Sequence, residues 1–386
     1  MSYKPLEFKK IFKAHFLERP NRFLTVCRLE NNKVVKAFMP NPGRLWELLF
    51  PECVLYLTSD TNSPKREERK TKYTVVAVER DNRPIFLHTH KTNDVVHYLL
   101  ENKLIPSLKN VEVAGREVTY GKSRFDFLLK EKGKELFMEV KSCTLFGNNI
   151  AMFPDAITER GRKHMIELAE LSSKNLKPIV LFLVQSDNIK WFMPDYHTDL
   201  EFSKTMLEVR NNIRFMPVSI GWNRDLSIKN TIEIVDIPWK YLEKEVEDRG
   251  SYILILRILQ DKKIEVGNLN NSEKLLFKKG YYLYVGSAMK NLTARINRHL
   301  RKIKNFHWHI DYLRDVTDKV TAVPIRSSSR LECKIAESIS EIYESTYDGF
   351  GSSDCKCPTH LFYSSENPLH SEFFHSFLQK YRMKEP

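Results

Sequence analysis

The chain has no apolar run long enough to span a bilayer. Its first residues, Met-Ser-Tyr-Lys-Pro-Leu-Glu, lack the apolar core of a secretory signal. A cytoplasmic protein is expected, and no stretch looks like an amphipathic membrane anchor with a broad apolar face. Cysteine is sparse. Cys27, Cys53, Cys143, Cys333, Cys355 and Cys357 are spread too thinly for a disulfide framework, which fits a reducing compartment. Internal repeats and low-complexity tracts are missing as well. Acidic residues are in deficit: 49 Asp and Glu stand against 62 Lys and Arg, a net charge of +13 over 386 residues. From Lys274 to Ile310 there are nine Lys or Arg and no Asp or Glu. Lys65-Arg66-Glu67-Glu68-Arg69-Lys70-Thr71-Lys72 forms a second basic patch. Such concentrations bind polyanions by releasing counterions, so nucleic acid is the expected partner.

What is present suits two or three domains, α/β overall. Residues 1–85 are rich in short β-branched and aromatic runs: Phe23 to Leu29, Val34 to Met39, Cys53 to Leu57 and Tyr73 to Val78. Asn31-Asn32 and Pro40-Asn41-Pro42-Gly43 punctuate them, and a brief helix is expected near Arg44 to Phe50. The pattern predicts a small OB-like barrel that binds nucleic acid, and an SH3-like barrel fits it too. Residues 86–235 change character. Val95, Val96, Leu99, Leu100 and Ile105 predict a helix, and Pro154-Asp155 introduces another carrying Ile157, Met165, Ile166, Leu168, Ala169 and Leu171 inside. Pro178 to Val184 is a continuous apolar run, the mark of a strand covered on both faces. A helix over about Asp199 to Asn211 and a strand from Ile213 to Ile220 complete an α/β sheet. Residues 236–249 are read as a linker, and residues 250–386 as a third unit with strands at Tyr252 to Leu259 and Tyr281 to Val285 and a basic helix from Leu292 to Lys304.

The chemistry concentrates in two predicted strands of the middle region. Arg124-Phe125-Asp126-Phe127-Leu128-Leu129 forms one and Glu135 to Lys141 the next, joined by the polar turn Lys130-Glu131-Lys132-Gly133-Lys134. Side chains alternate along a strand, so Glu139 and Lys141 share a face while Met138 and Val140 pack the other. The turn brings Asp126 beside Glu139, and two converging carboxylates make a hard-oxygen site for Mg²⁺ or Mn²⁺. A surface hairpin with solvated charges is the competing reading of so short a motif.

Residues 1 to about 235 resemble the sugar fermentation stimulation protein A family. The resemblance rests on Met39-Pro40-Asn41-Pro42-Gly43-Arg44-Leu45, Gly115 to Leu129, Met138-Glu139-Val140-Lys141-Ser142-Cys143-Thr144-Leu145 and Phe153 to His164. It implies an OB-like barrel joined to a PD-(D/E)xK restriction-endonuclease-like domain, DNA binding, and a link to transcription of sugar-utilisation genes. A metal-dependent nuclease is one expectation, and a non-catalytic DNA-binding regulator of those genes is its rival. On the first, Asp126, Glu139 and the Val140 carbonyl hold one or two Mg²⁺ ions and Lys141 orients the water. Glu101 is a candidate further ligand. Arg124, Arg160, His164, Asn41 and Arg44 are candidate phosphate contacts.

Residues 250–386 resemble the GIY-YIG nuclease domain on Gly250-Ser251-Tyr252, Tyr284-Val285-Gly286-Ser287 and Asn291 to His299. They resemble more closely an uncharacterised GIY-YIG-like family marked by His307-Trp308-His309-Ile310-Asp311 and Phe350 to Leu361. The resemblance implies Tyr252 and Tyr284 near the nucleophilic water, Arg295 on the phosphate and Glu332 as metal ligand. The late Asn of many GIY-YIG enzymes has no clear counterpart here. Leu292, Ile296, Leu300 and Ile303 are the expected buried stripe of the basic helix, which leaves Arg298, His299, Arg301 and Lys302 as candidate nucleic-acid contacts. Cys355, Cys357 and His360, with Cys333 as a fourth, are candidate Zn²⁺ ligands, against reduced cysteines packed in the core.

Overall fold

The computed structural model describes residues 2–8, 10–59, 71–121, 123–172, 177–267, 269 and 273–386. Lys65 to Lys70, most of the second basic patch, lie outside the described residues. The chain divides into two compact units, one of residues 1–195, 201–239 and 385–386, the other of residues 196–200 and 240–384.

In the first unit, strands Ile11–Asn21, Leu24–Leu29, Val34–Phe38, Val54–Thr58 and Tyr73–Arg80 close into a five-stranded barrel. Closure is a parallel pairing of Ala37 with Tyr73 and Phe38 with Thr74. Leu24–Leu29 alternates in burial, with Thr25, Cys27 and Leu29 inward, as a strand with one core face must. The OB-like expectation is met. The brief helix expected at Arg44 to Phe50 is instead a turn over residues 46–48. Leu45, Leu48 and Leu49 still enter the core; the turn delivers them because Arg19 donates to the carbonyls of Asn41, Gly43 and Arg44 (2.7, 2.7 and 2.9 Å) and fixes the incoming loop.

A seven-stranded sheet follows, in the order Ser2–Tyr3, Ile228–Ile234, Arg214–Trp222, Ile179–Val184, Lys134–Cys143, Ser123–Glu131, Val111–Tyr120. The Lys134–Cys143, Ile179–Val184 and Arg214–Trp222 strands run parallel to their neighbours among these three. Every residue of Ile179–Val184 is buried, as its unbroken apolar run requires. Val180, Phe182 and Val184 share a core with Met165 and Leu168 of helix Glu159–Glu170 and with Phe202 and Met206 of helix Leu200–Glu208. Ile179, Leu181 and Leu183 pack instead with Val95, Val96 and Leu99 of helix Thr92–Glu101. Period-two alternation in one strand thus sorts helices onto both sheet faces. Residues 223–249 are expected to form a linker and connecting helix; the helix is Trp239–Glu245, but Ile228–Ile234 is a strand, whose mostly solvated side chains give no strand pattern.

In the second unit five strands form an antiparallel sheet in the order Lys319–Arg326, Gly250–Ile258, Gly280–Ala288, Leu361–Ser364, Glu344–Ser345. The Tyr252 ring lies against Gly286 so closely that any Cβ there would overlap the phenol. The basic helix is shorter than expected, Leu292–Leu300. Leu292 and Ile296 are buried, but Ile303 is 96% exposed, because the helix ends before the next turn of the stripe forms. Among the described residues no helix is long and apolar enough to cross a membrane.

Candidate functional site

Lys132 and Gly133 both have positive φ (51° and 77°), the backbone of a tight two-residue hairpin turn. The turn sets an antiparallel register that runs to Met138 opposite Phe127, after which the ladder stops. Asp126 takes over there: one carboxylate oxygen accepts the Val140 N–H at 2.7 Å, and the other accepts from Asn93 Nδ2 at 2.7 Å. Glu139, 5% exposed, faces the same cavity. Its Oε1 accepts from Lys141 Nζ at 2.5 Å and pairs with His164 Nδ1 at 2.7 Å. Its Oε2 is buried with no hydrogen-bond partner among the described residues. A buried carboxylate oxygen is costly to leave without a donor or a cation. The cavity encloses about 520 Å³, with Asp126, Glu139 and Lys141 in its wall together with Arg22, Asn93 and Arg160.

The two carboxyls are displaced in opposite directions. Burial raises Asp126, the Glu139 charge raises it further, and the Val140 and Asn93 donors offset only part. Burial also presses Glu139 upward, but the His164 and Lys141 contacts outweigh it and leave Glu139 below its ordinary range. Ionisation is thus opposed at Asp126 and favoured at Glu139.

The other expected contacts of this unit are distributed unevenly. Arg160 lies in the cavity wall and is exposed. Asn41 lines it too, but its side chain caps its own loop, accepting the Gly43 N–H at 2.9 Å. His164 sits behind Glu139 as a buried partner. Arg44 stacks on the Trp46 ring at 4.7 Å and is not in the cavity wall. Arg124 is exposed and pairs with Glu117 at 3.4 Å. Glu101 ends helix Thr92–Glu101, exposed and 3.8 Å from His97, also away from the cavity wall. Sequence reasoning missed Asn93, whose only local signal is its place in the first turn of a helix, and Arg22, which has none. It also passed over Asp155, whose carboxyl is raised by burial and meets the Leu45 N–H at 3.4 Å.

The second unit gathers a separate cluster. Tyr252 Oη lies 3.0 Å from His299 Nε2. Burial pushes both the Tyr252 and Tyr284 phenols up, and each feels the charges of Arg295 and Glu332, so the four expected groups share one neighbourhood. Glu332 opens helix Glu332–Ser340; Ser287 Oγ donates to its Oε2, and His360 Nδ1 lies 3.5 Å from Oε1. Burial presses Glu332 upward, yet His360, Ser287 and Arg295 hold it below its ordinary range. Arg298 and His299 both turn toward Asp311, a residue outside the expected site and 0% exposed. Arg298 reaches its two oxygens at 3.1 and 3.0 Å, Lys304 at 2.8 Å and His299 Nδ1 at 3.5 Å, while the N–H groups of His307 and Trp308 donate at 3.0 and 3.2 Å. Arg295 and Arg298 flank the Trp308 ring at 4.4 and 4.3 Å. Arg301 and Lys302 are exposed. Cys333, Cys355, Cys357 and His360 place their ligand atoms within 4.8 Å of one another, an arrangement that fits a metal.

Residues 17–87 match the SfsA N-terminal OB domain, residues 90–225 the sugar fermentation stimulation protein RE domain, and residues 251–383 the domain of unknown function DUF123, which is GIY-YIG-like. The sugar fermentation stimulation protein homolog of Methanosphaera stadtmanae is 39% identical over 208 residues, covering 53% of this chain and 86% of that protein. The homolog of Clostridium botulinum is 40% identical over 199 residues, covering 51% and 84%. A structure of Pyrococcus furiosus SfsA in complex with Ca²⁺ superposes with a TM-score of 0.55 at 24% identity, over 61% of this chain and 99% of that one. An OB barrel, a restriction-endonuclease-like sheet and relatives matched over most of their own length leave one assignment: the chain belongs to the sugar fermentation stimulation protein (SfsA) family and carries a DUF123 domain after it.

Proposed function

We propose that the first unit is a Mg²⁺- or Mn²⁺-dependent nuclease that hydrolyses phosphodiester bonds in DNA, in the cytoplasm. The observation that carries this reading is the buried, unpartnered Oε2 of Glu139, facing the same cavity as Asp126 and Lys141. The donor set fits a hard divalent cation: two carboxylates, one already ionised, with no thiolate or thioether required. When bound, such an ion supplies Lewis-acid polarisation of a phosphodiester oxygen and a water of lowered pKa.

The chain's own groups do the rest. Asn93 and the Val140 N–H fix the Asp126 carboxylate in one orientation, and His164 does the same for Glu139 from behind. Lys141 places an ammonium at the cavity, where it offsets negative charge that builds on a phosphate in the transition state. Arg22 and Arg160 offer guanidinium groups from the cavity wall to a phosphate backbone. The barrel over residues 1–85 is the platform for nucleic acid, residues 86–235 the hydrolytic domain and residues 250–386 a further one. In that last domain Tyr252, Tyr284, Arg295 and Glu332 form a second candidate centre, with Arg301 and Lys302 as exposed backbone contacts.

The deciding experiment incubates the full chain with labelled single- and double-stranded DNA and RNA in Mg²⁺, Mn²⁺ or EDTA, and repeats it with Asp126→Ala, Lys141→Ala and Arg295→Ala. Metal-dependent cleavage lost in the first two variants supports the reading. Salt-sensitive binding with no cleavage under any condition replaces it with a DNA-binding regulator. Loss only in Arg295→Ala moves catalysis to the second unit.

A further inference from the structure

We propose that the C-terminal unit holds one structural Zn²⁺ on the Sγ atoms of Cys333, Cys355 and Cys357 and the Nε2 of His360, and that His360 links this ion to Glu332. The proposal stands apart from hydrolysis in the first unit. Its ligands come from two directions: Cys333 sits in the first turn of helix Glu332–Ser340, and the other three belong to residues 355–360, a stretch without helix or strand. Four soft or borderline ligand atoms lie within 4.8 Å of one another. A tetrahedron with Zn–S bonds of about 2.3 Å sets its sulfurs about 3.8 Å apart, so only small shifts separate this cluster from a filled site. Three sulfurs and an imidazole select a thiophilic tetrahedral ion over Mg²⁺ or Ca²⁺.

The imidazole reads as oriented for the task. His360 is 1% exposed; its Nε2 faces Cys355 Sγ at 3.5 Å and its Nδ1 faces Glu332 Oε1 at 3.5 Å. That is the order cysteine cluster, histidine, carboxylate, in which the outer carboxylate fixes the tautomer that leaves Nε2 free to ligate. Cys333 and Cys357 open onto a surface cavity of about 400 Å³, which gives the ion an entry path. The ion would pin the 355–360 loop to the helix and hold His360, and through it Glu332, in place. Glu332 is then positioned from outside its own site by a metal of a different class.

The test uses the full chain purified under reducing conditions. After dialysis, elemental analysis is expected to find one zinc per chain. Co²⁺ replacing it should produce thiolate-to-cobalt charge transfer and the strong visible bands of a tetrahedral site. Cys333→Ser and Cys357→Ser should each lose these signals, while Cys53→Ser in the first unit keeps them. Because the cysteine variants can fail to fold, Glu332→Gln is the companion: stoichiometry stays at one, and affinity measured against a chromophoric chelator falls about 10- to 100-fold. A reduced, folded chain that takes up neither Zn²⁺ nor Co²⁺, or cysteine variants with unchanged spectra, overturns the site. Unchanged affinity in Glu332→Gln overturns its link to Glu332.

Discussion

Glu139 in the first unit and Asp311 in the second are both buried carboxylates that meet basic side chains, and they differ in one respect. Asp311 is saturated. Arg298, Lys304, the His307 N–H and the Trp308 N–H all converge on its two oxygens. Burial pushes it upward, but His299, Arg298, Lys304 and the His307 N–H outweigh that and hold it far below the ordinary carboxylate range. Glu139 has both of its side-chain partners, Lys141 and His164, on Oε1 and, among the described residues, none on Oε2. The first arrangement is a keystone that closes the turn between helix Leu292–Leu300 and helix His309–Val316. The second is an incomplete shell. Burial and basic neighbours are common to both carboxylates; what differs is the unfilled Glu139 Oε2, the position our proposed function gives to a cation.

That contrast makes substitutions separable by readout. Asp311→Ala should carry the largest stability effect, about 3–5 kcal/mol lost from the second unit, since it strands buried cations without a partner. Denaturant unfolding followed by probes in that unit measures it, and a loss below 1 kcal/mol, about the weight of a surface pair, would erase the distinction drawn here. Asp126→Ala and Lys141→Ala should instead cut metal-dependent cleavage about 100- to 1,000-fold while leaving unfolding close to wild type. Asn93→Ala acts through Asp126 and should weaken Mg²⁺ or Mn²⁺ about 10- to 100-fold by calorimetry, with no change in oligonucleotide affinity measured in EDTA.

Acid sharpens the same comparison. The Asp126 carboxyl is raised, so its ionisation opposes folding: its contribution to stability is fullest in acid and is lost as pH rises through its folded pKa. A cation held by Asp126 competes with that proton, so metal affinity should fall with acidification sooner than an ordinary aspartate would dictate. Glu139 is depressed, so its stabilising contribution is present above the unfolded pKa and disappears only as pH falls through the folded value. Calorimetric titration with Mn²⁺ across mildly acidic pH checks the first sign, and acid unfolding of Glu139→Gln beside wild type checks the second. Smallest of all should be Arg124→Ala. Its exposed pair with Glu117 carries at most about 1 kcal/mol, and cleavage should be unchanged.

Legibility varied with the locality of the signal. The Asp126 and Glu139 strands, their turn and the shared cavity with Lys141 were readable because hairpin register and period-two alternation are local properties. The buried strand Ile179–Val184 was readable from its apolar run. Asn93 was not, since its partner Asp126 is 33 residues away and no local pattern marks the pairing. Arg298 and His299 looked like solvent-facing basic groups because helical periodicity reports a face, not its occupant, and Asp311 was their occupant. Ile303 was misjudged because periodicity continued past the helix end.

By itself the sequence determined the three-part organisation, the basic balance and the residue types able to bind a cation, because spacing and charge are written along the chain. Only the tertiary structure decided which carboxylate oxygen stays unfilled, which arginines are occupied, and that His360 stands between a cysteine cluster and Glu332. Those are questions of what lies opposite each side chain, and the opposing groups arrive from distant segments brought together by packing.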